Sequence, residues 1–203
     1  DICLIECNFS DYVKCYVLVK LLHVLMNLDK FYINFNRINS DLANDLGNLL
    51  SRSTAMLVKY FDGEIQAPAL LSTLDQAFCD KATAMVAQVD RFMDELAFSK
   101  ALQAIWDVIS AGNKYIDDTA PWQMAKDPLQ KEALQTVMFC LLEAQRLVHL
   151  ALYPFMPQTA TKALVALGCP SEPEGVAMTW GRLPVGTRID KAPALFPRIE
   201  NKD

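Results

Sequence analysis

The chain is poor in glycine, with 7 among 203 residues, and poor in histidine, with 2. Scarce glycine alongside plentiful Leu, Ala, Met, Lys and Gln favours helix. No P-loop and no GxGxxG occurs, so nothing here cradles a nucleotide phosphate. Positive charge is also short: the net charge is −5. Bulk electrostatics therefore do not draw this chain to a polyanion, and any nucleic-acid contact has to be local and stereospecific. No apolar run reaches membrane-spanning length. The stretch 12–28 is apolar but short, and Lys14, Lys20 and His23 interrupt it. No basic segment followed by an apolar run and a small-residue cleavage site is present. The first residue is Asp1 rather than Met, so the chain is expected to be a piece or a processed product.

Six cysteines are too scattered for a disulfide framework. Cys3, Cys7 and Cys15 crowd the N-terminus, and Cys79, Cys140 and Cys169 stand apart in helix-like surroundings. Buried, reduced thiols in a cytoplasmic protein are the expectation. Cys3, Cys7, Cys15 and His23 lack the tight pairing of a zinc site, so no metal is expected.

What the chain does have is apolar residues, at 52%, against 21% charged. That is a composition for a packed core, not for disorder. Residues 1–36 are rich in Val, Tyr, Phe and Ile without a clean period, and remain an unassigned leader. From residue 37 the pattern settles. Leu42, Leu46, Leu49, Leu50, Ser53, Met56, Leu57 and Tyr60 fall on one arc at 100° per residue. This predicts one helix from Ile38, capped by Ser40 or Asp41 and ended by Asp62 and Gly63. Further helices are expected over 72–96 and 99–117, with a short one started by Thr119 and Pro121. A long, central helix follows over 129–153 and another over 158–167. After Gly168, prolines and glycines mark an extended tail, about 168–203. The expected fold is all-α: an antiparallel helix bundle over 37–203 with an extended C-terminal strap and no internal repeat.

Two stretches carry the functional signal. In NDLGNLLSR (44–52), Asn44, Asn48 and Arg52 recur every four residues. They should form an oblique stripe drifting about 40° per step, opposite the apolar arc. A solvated face is the plain alternative. Yet Asn is a poor helix former, and Gly47 in mid-helix costs about 1 kcal/mol relative to Ala. Gly47 therefore signals either a close helix–helix approach or room for a ligand. In NKYIDDTAPW (113–122), Trp122 follows Pro121 at a helix start. There the ring either packs in the core or projects as a stacking platform. Asp117 and Asp118 read better as a cap for the next helix, favoured by its dipole, than as a catalytic pair. Amide, guanidinium and indole groups together suit the reading of unstacked bases.

These stretches, with YFDGEIQAP and LFPRIE, resemble the anticodon-binding helical domain of bacterial methionyl-tRNA synthetases, of class I. The resemblance covers about 37–200. It implies stacking by Trp122 after Pro121 and hydrogen bonding by Asn48 and Arg52 to a CAU anticodon, with Asn44 one turn earlier as a further candidate. The implied partners are methionine-specific tRNA and the catalytic domain of the same protein, with no membrane and no DNA. The implied parent activity is ATP-dependent ligation of methionine to tRNA through methionyl-adenylate, in the cytoplasm. ATP, Mg and a structural Zn are implied only for the catalytic domain. No HIGH-like or KMSKS-like motif occurs, so no catalytic residue and no cofactor is expected in this piece. Competing readings are the equivalent domain of a leucyl, isoleucyl or valyl synthetase, and a helical protein-interaction module without RNA binding. The Asn48, Arg52 and Trp122 set argues against the former. The acidic net charge is the case for the latter.

Overall fold

A computed structural model of the chain describes residues 38–171 and 178–196. The leader, with Cys3, Cys7, Cys15 and His23, lies outside the described residues. So do the side chains of Ser40 and Asp41, the expected caps.

The first element departs from the sequence reading. Ile38–Gly47 is wound as a π-helix, and the α-helix proper, α1, is Asn48–Phe61. Ten residues of π-helix is unusual, because such winding mostly survives as single turns at functional sites. Leu46, Leu49, Leu50 and Leu57 are all buried, as the apolar arc requires. α1 ends where expected: Asp62 (φ 53°) and Gly63 (φ 78°) turn left-handed. At Gly63 a Cβ would lie 2.3 Å from the Ile189 carbonyl oxygen, so only glycine fits.

Helix α2, Thr73–Asp94, opens on a capping box. The Asp75 amide donates to Ser72 Oγ (3.2 Å) and the Ser72 amide to Asp75 Oδ2 (2.7 Å). Helix α3, Phe98–Thr119, returns after a three-residue turn. α4 is the short Pro121–Met124. A 3-10 turn, Pro128–Gln130, leads into α5, Lys131–Leu152, and α6 is Pro157–Ala166. Asp127 caps the 3-10 turn through the Leu129 amide (3.0 Å), which accounts for the start signal at Asp127 and Pro128.

α5 is the central element. Every residue over 136–152 is buried, and α1, α2, α3, α4 and α6 all pack on it. Burying a leucine such as Leu142 contributes roughly 1.5–3 kcal/mol, so this helix organises the core. α1, α2 and α3 meet at Gly112, where a Cβ would stand 3.1 Å from Leu49 Cδ2 and 3.5 Å from Phe78 Cζ. The close helix–helix approach is thus made at Gly112. Gly47 instead lies against the tail: its Cβ would meet Phe196 Cδ2 at 3.5 Å.

The tail over 178–196 is an extended strap, as expected. It pairs with the turn after α1 through Ile65 N to Thr187 O (2.9 Å), Gly186 N to Ile65 O (2.8 Å) and Ile189 N to Gly63 O (2.9 Å). It is locked to α5 by a buried ion pair that the sequence did not announce. Glu143 Oε1 accepts from Arg146 Nη2 (2.7 Å), Gly181 N (2.7 Å) and Arg182 N (3.0 Å), and Arg146 Nη2 also donates to Thr179 O (2.6 Å). Cys79 and Cys140 are buried, as expected, and Cys169 is only half-buried. No helix among the described residues is long and apolar enough to cross a membrane.

Candidate nucleic-acid interface

Asn48 is the first residue of α1 and is exposed; its side chain makes no hydrogen bond to another described residue. Arg52 follows one turn later on the same side, one-third exposed. Asn44 is exposed too, but it sits in the π-wound segment. A π-helix closes its bonds at i to i+5 and turns less per residue than an α-helix. The predicted 40° drift therefore holds from Asn48 to Arg52 and not from Asn44 to Asn48. The stripe is broken at Gly47, where the winding changes.

The second stretch is divided by depth. Tyr115 and Ile116 point inward and are buried. The Tyr115 ring stacks on Phe78, with centroids 4.5 Å apart and planes at 16°, an arrangement contributing roughly 0.5–1.5 kcal/mol beyond burial. Its hydroxyl donates to Asp75. Burial and that bond hold the phenol far above its usual range. This anchoring fixes the rotation of the last turns of α3, and so turns Asn113, Lys114, Asp117 and Asp118 outward.

The outward residues join the two stretches. Asn113 Nδ2 donates to the Asp45 carbonyl (3.3 Å) and to Ile109 O (3.3 Å). One turn on, Arg52 Nη2 donates to Asp117 Oδ1 at 3.3 Å. Segments some seventy residues apart in sequence thus share one face. The aspartates do not cap the next helix as the sequence suggested. Asp117 pairs with Arg52, and Asp118 with Lys114 at 2.5 Å. The residue preceding α4 is Ala120, which makes no side-chain cap.

Ala120 is left-handed (φ 44°, ψ 62°), a conformation costing an alanine roughly 1–2 kcal/mol. It ends α3 and begins α4. Its amide donates to Ile116 O (3.0 Å), and its carbonyl accepts from Gln123 N (2.7 Å) and Met124 N (3.3 Å). Pro121 follows at the first position of α4 and is buried, while Trp122 beside it is 40% exposed. Strain of this kind persists only where the surroundings over-determine it. Here it aims a rigid indole outward from the end of α3, five residues after the partner of Arg52. The roles of Asn113, Asp117 and Ala120 were not legible in the sequence, since each depends on a contact across the fold.

Among the described residues no group of three or more His, Cys, Asp or Glu could hold a metal ion. The two stretches offer neutral amides, one guanidinium with free donors and one exposed aromatic ring, with the charges of Arg52 and Lys114 paired. That is equipment for recognition through hydrogen bonding and stacking.

Comparisons with known proteins place the chain in a family. A family model described as the anticodon binding domain of methionyl tRNA ligase matches residues 67–203. The methionine--tRNA ligase of Caldanaerobacter subterraneus subsp. tengcongensis is 43% identical over 166 residues, 81% of this chain and 26% of that protein. That of Clostridium acetobutylicum is 39% identical over 191 residues, 94% of this chain and 30% of that protein. The solved apo, free-state methionyl-tRNA synthetase of Mycobacterium tuberculosis superposes with a TM-score of 0.77 at 33% identity, over 82% of this chain and 34% of that one. The chain spans about a quarter to a third of the length of the relatives it matches.

Proposed function

This chain belongs to the family of methionyl-tRNA ligase anticodon-binding domains, and we propose that it reads the CAU anticodon of methionine tRNA. Trp122 stacks on an unpaired base, aimed by Pro121 and Ala120. Asn48 and Arg52 donate to base edges, and Asn44 adds a contact from the preceding turn. An arginine presents five donors in a fork. With one Nη2 bond given to Asp117, the rest of the fork is available to a base. The observation that carries this reading is the Arg52 to Asp117 contact, because it brings the two stretches together, and Trp122, five residues further along the second, is exposed.

In the longer protein, the anticodon contact makes binding energy available to the reacting end of the tRNA, far from this face. The reaction would be ATP-dependent ligation of methionine, carried by the catalytic portion of the relatives, and the setting cytoplasmic. The 203 residues alone should catalyse no methionine-dependent ATP–pyrophosphate exchange.

The test is binding of an anticodon stem-loop bearing CAU against the same stem-loop with one anticodon base changed, at a stated low salt. A preference for CAU is expected. Arg52→Lys should narrow it more than it lowers total affinity, since a lysine keeps the charge and loses the planar fork. A good two-bond contact to a base is worth about 1–3 kcal/mol of discrimination. Equal binding of both stem-loops would remove anticodon reading. Binding of neither would favour a protein-interaction module.

A further inference from the structure

The C-terminal strap passes directly behind the reading face. The Ala192 amide donates to Thr54 Oγ1 at 3.0 Å, and Thr54 Oγ1 in turn donates to Leu50 O at 2.9 Å. Four residues later the Phe196 ring, half-buried against the core, lies where a Cβ on Gly47 would touch it at 3.5 Å. Gly47 and Thr54 are seven residues apart, so they lie about 10 Å apart along the helix and within about 20° around it. Four extended residues span about 13 Å. The segment 192–196 therefore runs antiparallel along one side of α1, bonded at Thr54 and seated on Gly47. Asn48 and Arg52 stand about 100° and 140° round from that side.

Gly47 is also the last residue of the π-wound segment. Winding of this type is rare and needs outside support. The junction has little room to spare: a Cβ at Gly47 would come within 3.2 Å of Leu42 O. A methyl there would press on the Leu42 carbonyl while meeting the ring at ordinary contact distance.

We propose that Phe196 is a positioning residue for anticodon recognition. Its ring, seated on Gly47, holds the change from π to α winding, and that change sets where Asn44 stands relative to Asn48 and Arg52. Phe196 touches no base. It acts through the backbone of Gly47. The role in recognition rests on the function proposed above.

The test uses the full 203-residue chain, well below its melting temperature. Affinities for the CAU stem-loop and for a base-changed stem-loop are measured for the wild type, Phe196→Ala, Phe196→Leu and Gly47→Ala. Phe196→Ala should lower the ratio of the two affinities by roughly tenfold, the low end of what one good two-bond base contact contributes to discrimination. Affinity for the changed stem-loop should hold. Phe196→Leu should restore part of the ratio, and Gly47→Ala should lower it without altering the strap. In the free protein, hydrogen exchange at amides 42–48 should quicken in Phe196→Ala while amides 105–112 of α3 keep their rates. A wild-type ratio in Phe196→Ala overturns the proposal, as does exchange that quickens equally in all helices. Should Phe196→Ala fail to fold, a wild-type ratio in Gly47→Ala overturns it. A wild type with no CAU preference overturns the anticodon-reading function and with it the role in recognition. The exchange result then still reports separately whether the ring holds the junction.

Discussion

Trp122 and His149 are opposite cases of a residue whose setting decides its work. Trp122 keeps 40% of its surface exposed, so its ring can serve a ligand without holding the core. Trp122→Ala should weaken stem-loop binding by about 1–3 kcal/mol and shift unfolding free energy by under about 1 kcal/mol. Trp122→Phe should recover part of the binding. Urea melts beside the binding isotherms decide it: collapse of Trp122→Ala would make the ring a core residue. His149, by contrast, is fully buried on α5, with Nδ1 2.7 Å from the Gln145 carbonyl. Burial pushes its pKa down to about 4. Above about pH 6.5 both folded and unfolded chains hold it neutral. As pH falls from there toward 4, the unfolded chain gains a proton that the folded one refuses. Up to about 3 kcal/mol of stability should be lost across that window. Denaturation at a series of pH values should show a flatter acid slope for His149→Gln.

The strap is the element whose importance its composition hid. Proline and glycine announced that it is extended, and it is, but the composition said nothing of what it grips. Glu143 and Arg146 lie three apart on α5, a spacing common on solvated helices, yet they are 0% and 1% exposed. The carboxylate takes two strap amides and the guanidinium takes a strap carbonyl. Glu143→Gln would remove the carboxylate paired with a buried guanidinium and should cost roughly 3–5 kcal/mol. Hydrogen exchange should then show the Gly181 and Arg182 amides exposed first. Full stability in that variant would mean that the strap is held by its pairing with the turn after α1 and by its contacts along α1. The first helix was also half legible: its apolar arc from Leu46 to Leu57 holds, because burial demands it. Its winding before Gly47 does not follow from the arc, since the same leucines satisfy a π or an α path.

For the molecule as a whole, net charge −5 is compounded by local pairing. Arg52 and Lys114, the cations of the reading face, are each bonded to an aspartate. In the stretch 37–60, Arg37, Arg52 and Lys59 against Asp41 and Asp45 leave a net of +1. Few phosphates can be neutralised, so tRNA should bind weakly, with a log–log salt slope of about −1 to −2. A tight complex with a steep slope would reveal a basic surface elsewhere. Methionine-dependent pyrophosphate exchange should stay at the blank.

The sequence by itself determined most of the helices and their ends, and it named candidate residues for the face. Periodicity, Pro and Gly punctuation, and capping chemistry act within a few residues of one another, so the line of the chain records them. Asp62 and Gly63 ending α1 are of this kind, as is a helix begun at Pro121. Only the tertiary structure decided the partners. Asp117 met Arg52 and not a helix end, Gly47 met Phe196 and not a helix or a ligand, and Glu143 and Arg146 became a buried lock. Each joins residues on separate elements, or depends on burial that another element supplies. A long-range contact leaves no period in the sequence, because any outward position of the right chemistry would look the same until the fold brings its partner to it.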